Sequence, residues 1–82
     1  KKEVSIELNI IGLRVDEAIP VVERYLNEAA LSGIPSATII HGRGTGRLAK
    51  AVREHLSGHP LVKGSRPGTD EEGGEAVTVV YF

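Results

Sequence analysis

The sequence predicts a small α/β (α+β) two-layer sandwich of element order βαβαββ, with both helices on one face of a single sheet. Three observations carry this. Near the start, Val4, Ile6, Leu8 and Ile10 alternate with Ser5, Glu7 and Asn9, the mark of a strand with one buried and one polar face. Two later segments repeat apolar residues at helical spacing, and each leads into a strand-like run. The chain closes on residues 76–82, apolar on both faces and so suited to the middle of a sheet. Strand–helix–strand crossovers are right-handed, which puts both helices on the same side.

The first strand, residues 4–10, ends at Gly12. In the first helix Val15, Ala18, Ile19, Val22, Leu26 and Ala29 form one stripe, Asp16 and Glu17 suit the positive end of the dipole, and Gly33 and Pro35 close the element. Pro20 removes one hydrogen bond and crowds the preceding turn, so a kink or a loosened first turn is expected. Residues 37–40 form a short buried strand. Leu48, Ala51, Val52, His55 and Leu56, at i, i+3, i+4, i+7 and i+8, mark a second amphipathic helix stopped by Gly58 and Pro60. Residues 61–66 read as a weaker strand, with Lys63 and Gly64 suggesting an edge. Residues 67–74, acidic and Gly-rich, read as a mobile solvated hairpin loop.

Residues 1–82 make one domain, and a chain this short supports one modest core. There is no cysteine, hence no disulfide framework and no thiolate metal site. No apolar run approaches the roughly 20 residues of a membrane span, and no signal peptide is visible; no membrane partner and a cytoplasmic location are expected. The chain begins Lys1-Lys2 rather than with Met, as expected of an excised domain or a processed product, and the C-terminal fragment of a larger protein is the expectation.

The chemistry concentrates in His41-Gly42-Arg43-Gly44-Thr45-Gly46-Arg47, where a strand hands over to a helix. A helix N-terminus offers unpaired N–H groups and the positive end of the dipole, and glycines let a ligand approach that backbone closely. The segment reads as an anion site, with phosphate the expected ligand. It is neither a Walker loop nor a dinucleotide fingerprint, since both spacings are missing and position 47 is Arg. A flexible Gly-rich turn is the alternative. Arg47 and Lys50 weigh against it, because the dipole disfavours cations in the first turns of a helix by roughly 0.3–1 kcal/mol each. Between residues 41 and 66 stand six Lys/Arg and one acidic residue, Glu54, a net of +5 on a chain whose overall charge is −1. That asymmetry fits a polyanion partner. The carboxyl ends of parallel strands share one edge, which places residues 9–14, Arg14 included, beside residues 41–47.

Other candidates are weaker. His41 can act as a general acid or base, or simply donate to the backbone at the loop root. His55 and His59 are four apart, a spacing able to bind a metal. But Gly58 breaks the helix before His59 and His55 falls on the apolar stripe, so packing and a charge role at the helix C-terminus are expected and no protein metal site. Asp70, Glu71 and Glu72 read as loop charges rather than cation ligands. Tyr25, Tyr81 and Phe82 are the only aromatics, too few for a platform that stacks single strands.

Three blocks of the chain resemble the Smr (small MutS-related) domain, in particular the one that ends the MutS-II branch of bacterial MutS-like proteins. They are Leu8-Asn9-Ile10-Ile11-Gly12-Leu13 with Asp16-Glu17-Ala18; Ile39-Ile40-His41-Gly42-Arg43-Gly44-Thr45-Gly46-Arg47-Leu48; and Gly73-Gly74-Glu75-Ala76-Val77-Thr78-Val79-Val80. The resemblance implies a fold like the C-terminal domain of translation initiation factor three, a four-stranded mixed sheet of order 1-2-4-3 with the last strand antiparallel to its neighbours. It implies nucleic-acid binding, nicking endonuclease activity in many members, and a place in recombination control or DNA repair. The rest of such a protein would supply an ATPase and a dimerising clamp. One departure matters. The family's first block commonly reads Leu-Asp-x-His, with the Asp and His linked to cleavage; here those positions are Asn9 and Ile11. An amide is no general base, and isoleucine neither moves a proton nor binds a metal.

Two functional classes follow. One is a nuclease acting on DNA, or on RNA, with His41 moving a proton, Arg43 stabilising charge on the phosphate oxygens, Asn9 positioning a water, and a divalent cation (Mg or Mn) as the cofactor to test for. The other is a non-catalytic module docking on DNA, structured RNA or the ribosome. In both, Gly42, Arg43, Gly44, Thr45, Gly46, Arg47, Lys50 and Arg14 contact the nucleic acid.

Overall fold

In the computed structural model, which describes residues 6–82, one sheet carries two helices on a single face. The elements are β1 (Glu7–Asn9), α1 (Val15–Leu31), β2 (Ser36–Ile40), α2 (Arg47–Leu56), β3 (Gly64–Pro67) and β4 (Val77–Tyr81), with two single 3₁₀ turns, Asp70–Glu72 and Gly74–Ala76, before β4. Val4 and Ser5, expected in the first strand, lie outside the described residues. The sheet order is β1-β2-β4-β3. β1 and β2 are parallel, and β4 is antiparallel to both β2 and β3, in agreement with the mixed 1-2-4-3 sheet.

Alternation decides the faces. Ala37 and Ile39 of β2 stand opposite Val80 and Thr78 of β4, and these four are buried toward the helices. Ala18, Val22, Tyr25, Leu26 and Ala29 of α1 and Val52 and Leu56 of α2 complete the core with Ile10. The main-chain N–H of Ile10 donates to the Ile40 carbonyl at 2.9 Å, so the segments after β1 and β2 leave the sheet side by side.

The structure departs from the sequence reading at several points. α1 runs unbroken through Pro20: the Asp16 carbonyl loses its donor, but both residues are exposed and water can serve it. Val15, assigned to the apolar stripe, is 39% exposed, whereas Tyr25 is buried in the core at 8%. On α2 it is Ala49 rather than Ala51 that is buried. The third strand begins at Gly64 instead of residue 61, because Val62 donates to the His59 carbonyl in a turn and packs on the core. As expected it is an edge strand, and its last residue, Pro67, is tolerated there.

The expected mobile loop at residues 67–74 is structured. Thr69 and Glu72 form a reciprocal capping box, and Gly74 donates to the Thr69 carbonyl at 2.7 Å. Glu72 also takes a forked pair of bonds from Arg66, at 2.8 and 3.1 Å. That contact, with the Thr69 N–H, holds the Glu72 carboxyl down at about 2 and raises the Arg66 guanidinium above its ordinary value. Arg66 further donates to the Tyr81 hydroxyl at 2.9 Å.

Candidate nucleic-acid interface

The loop between β2 and α2 turns on three glycines, all in the left-handed region: Gly42 at φ 77°, Gly44 at 38° and Gly46 at 83°. Side chains with a Cβ adopt such values at a cost of roughly 1–2 kcal/mol each. Gly46 caps α2, and Lys50 closes the first helical bond on its carbonyl at 2.9 Å. Among the described residues, nothing accepts the N–H groups of Leu48 and Ala49, and Arg47 has only a long 3.4 Å bond to Thr45 Oγ1. No acidic residue stands in the first turn of α2. The helix therefore presents unfilled donors and its positive dipole end to solvent.

Arg47 and Leu48 border a groove of about 590 Å³ lined on one side by residues 11–15 and on the other by residues 41–48, whereas Ala49 borders a second one. Gly42, Arg43, Gly44, Thr45, Gly46, Arg47 and Arg14 all border the first, as the shared strand edge predicts. Lys50 lies one turn along α2 and is exposed. Among the described residues, Arg43, Arg47 and Lys50 make no ion pair, while Arg14 lies 3.6 Å from Asp16 and 3.7 Å from Glu17. Among the described residues, no Asp or Glu lines the first groove. A second, smaller groove on the other side of the loop is bordered by Arg43, Arg53 and one carboxylate, Glu75.

His41 is buried at the root of the loop. It is 4% exposed, and both ring nitrogens are engaged. Nδ1 donates to the Gly42 carbonyl at 2.9 Å, so in the neutral ring Nε2 accepts from the Thr78 hydroxyl at 2.8 Å. The main-chain N–H groups of His41 and Gly42 both donate to the Ala76 carbonyl, at 3.1 and 2.9 Å. The ring thus ties the loop root to β4, and its peptide ties it to the turn before β4. Asn9 lies outside the groove lining, and its Oδ1 accepts the Ile11 N–H at 2.9 Å, shaping the turn that follows β1. Ile11 itself is 57% exposed on the groove wall, against Gly42.

Gly74 belongs to the site although no reading of single motifs assigns it a role. It is buried at φ 60°, and a Cβ there would come within 3.3 Å of Arg43 Nη2. The glycine thus leaves room for the guanidinium. The signal was present in the Gly73-Gly74 pair of the third block, but contact with Arg43 depends on the 3₁₀ turns.

At the opposite end of α2 another constellation forms, which the sequence left as packing residues. His55 Nε2 and His59 Nε2 lie 2.8 and 2.9 Å from the same oxygen, Oε1 of Glu23 on α1. Asn27 Nδ2 bonds the other carboxylate oxygen at 2.8 Å. Bonds from Asn27 first, then from the two imidazoles, hold the Glu23 carboxyl down at about 2. This Glu/His/His group can chelate a divalent metal. Glu23 was missed because nothing local in the sequence ties mid-α1 to the end of α2.

The Smr domain family model matches residues 8–82. The chain is 56% identical over 79 residues to endonuclease MutS2 of Lachnoclostridium phytofermentans, covering 96% of this chain and 10% of that protein. It is 51% identical over 77 residues to a putative endonuclease MutS2 of Bacillus subtilis, covering 94% of this chain and again 10% of the relative. The chain therefore spans about a tenth of the length of the curated relatives it matches. Among solved structures, the Smr domain of Thermus thermophilus MutS2 superposes with a TM-score of 0.89 at 39% identity, covering 92% of this chain and 94% of that one. The stand-alone small MutS-related protein YdaL of Escherichia coli, at 22% identity and a TM-score of 0.88 over 94% of this chain and 63% of its own, shares the fold. The matched residues contain all three sequence blocks and the solved Smr domain shares the fold: the chain belongs to the Smr domain family, on the branch that ends the bacterial MutS2 proteins.

Proposed function

We propose that this domain binds nucleic acid, DNA first, by seating backbone phosphates at the N-terminus of α2, within a MutS2-type protein of nuclease-related function. The observation that carries the reading is the coincidence, among the described residues, of unfilled N–H donors at Leu48 and Ala49 with three cations in no ion pair, Arg43, Arg47 and Lys50. Arg14 and Thr45 extend the contact, and the glycines let the phosphate close on the backbone. Structured RNA or the ribosome presents the same phosphates. In the recombination or repair role we assign to such a protein, its ATPase and dimerising clamp are the work of other domains. Among the described residues, no helix is long and apolar enough to cross a membrane.

For nicking, the groove supports one half of the chemistry. Arg43 stands where it would stabilise charge developing on phosphate oxygens. His41, engaged on both nitrogens, serves as a positioning residue that holds the loop, and its expected proton transfer would first have to break the bond to Thr78 or Gly42. Asn9 positions the neighbouring turn. Among the described residues no carboxylate lines the larger groove, and with Ile11 in place of the common His a base for a water nucleophile would have to come from Glu75, which borders the second groove with Arg43. This favours a binding module as the resting reading, with a divalent cation, Mg or Mn, as the group that would have to supply the activated water.

The test is a paired measurement on this chain. Binding to a DNA duplex should show a log–log salt slope of roughly −3 for about three phosphate contacts. Arg47→Glu should flatten that slope on DNA and RNA alike while leaving the melting temperature within a few degrees. Plasmid nicking with Mg or Mn should be weak, and should rise in Asn9→Asp with Ile11→His. Unchanged affinity in Arg47→Glu moves the site elsewhere; robust nicking by a chain carrying Arg43→Gln removes Arg43 from the chemistry.

A further inference from the structure

Three metal-ligating groups from three separate places converge at the far end of α2. Glu23 comes from the middle of α1, His55 from the last turn of α2, and His59 from the turn beyond it. One ligand atom from each lies within 4.8 Å of the other two. We propose that Glu23, His55 and His59 form a binding site for one divalent ion of the zinc class, separate from the phosphate groove.

The donor set selects the ion. Two imidazole nitrogens and one carboxylate oxygen suit zinc, cobalt or nickel, whereas magnesium and calcium take oxygen ligands. Orientation is already provided. Asn27 Nδ2 bonds Glu23 Oε2 and the Glu23 carbonyl, each at 2.8 Å, which leaves Oε1 turned to the two rings. Outer contacts of this kind hold ligating side chains in place. The adjustment needed is small. Ligands at zinc distances in a tetrahedral shell stand roughly 3.3 Å apart, so each ring withdraws slightly from its present 2.8 or 2.9 Å contact with Oε1. The His59 side chain is 8% exposed, while those of His55 and Glu23 are 25% and 44% exposed, so water can reach the fourth position.

The protons give the site a signature. Without an ion, His59 Nδ1 accepts the Leu61 N–H at 3.1 Å, so the neutral ring carries its proton on Nε2 and donates to Glu23. An ion takes the place of that proton. The proton of His59 moves to Nδ1, and the Leu61 N–H, on an exposed residue, turns to solvent. At a pH where both rings are neutral no proton is released. Zinc binding should therefore move the Leu61 amide resonance and exchange the roles of the two His59 nitrogens.

The experiment titrates the metal-free chain with zinc chloride, then with magnesium chloride, following stoichiometry, melting temperature and amide spectra. One equivalent of zinc should bind, raising the melting temperature by about 10–20 °C at a hundredfold excess over Kd, with magnesium inert. Glu23→Gln, which keeps the shape and an acceptor for both rings, and His55→Gln should each weaken binding at least tenfold. The absence of a one-to-one zinc complex overturns the proposal. So does equal zinc binding in both variants, or a zinc-bound chain whose Leu61 amide has not moved. None of these readouts involves nucleic acid, so the result is independent of the groove reading.

Discussion

The two ends of α2 are roughly 15 Å apart and follow opposite rules. At the C-terminal end polar groups from separate elements are paired: two imidazoles and Asn27 share the Glu23 carboxylate, and the Ser57 N–H returns to the Arg53 carbonyl. At the N-terminal end the first-turn donors are unfilled, cations stand where the dipole disfavours them, and three glycines hold conformations other residues resist. Saturation ties two helices together and adds stability. Incompleteness lowers stability locally and leaves interactions to be made with something else. A single ten-residue helix thus divides into a fastened end and a receptive end.

The sharpest way to break this comparison is Gly44→Val. A Cβ at Gly44 meets nothing within 4 Å, so the substitution has room, but its φ of 38° is one that a β-branched residue avoids. The loop should relax and lose its phosphate geometry. Affinity for duplex DNA should fall at least tenfold, about 1.4 kcal/mol, with the helical circular-dichroism signal kept. Normal binding by this variant would mean that the loop is a plain connector and that the receptive end lies elsewhere.

Glu23→Ala probes the other end with the opposite pattern. Two imidazole N–H groups lose their acceptor, in partial contact with solvent. The expected loss is about 1 kcal/mol, a fall of roughly 4–8 °C in melting temperature, with DNA affinity unchanged. A variant that melts normally but binds DNA poorly would reverse the division.

The receptive end was far more legible in the sequence than the fastened one. Glycines, arginines and a strand-to-helix handover lie within seven consecutive residues, so local rules suffice for Gly42 to Arg47, and the parallel β1–β2 pair brings Arg14 to the same groove. The element order and the central place of β4 followed from periodicity, and the strand order from family resemblance. The remainder depends on distant partners. Glu23 meets His55 across 32 positions and His41 meets Thr78 across 37, separations that no periodicity reports. Residues 67–74 looked like a solvated loop because their charges are dense; Arg66 supplies the fork that orders them, and it does so only once β3 and β4 are paired.

That last region provides the finest test, because it forms part of the receptive end's rear wall. Glu72 accepts from Arg66 and from the Thr69 N–H, and the turn it closes leads to Gly74, against which Arg43 rests. Its carboxyl is lowered from 4.5 to about 2 in the folded chain. A group shifted downward contributes stability that is fully present above its unfolded value and is lost as pH falls through the folded one. The contribution should therefore hold at neutral pH and fade between about 4.5 and about 2, while Arg66 keeps its charge throughout. Because both side chains are substantially exposed, solvent screens the pair and the global effect should be small. The readout is accordingly local: the carboxyl carbon of Glu72 should titrate near 2 by NMR, and protection of the Thr69 amide should fall with it. Glu72→Gln should abolish that acid-linked change at Thr69 and leave the Glu23 titration in place, since Glu23 is held down by its own donors at the fastened end. A Glu72 carboxyl that titrates at 4.5 would show that the fork to Arg66 does not persist in solution, and would return residues 67–74 to the mobile loop that their composition suggests.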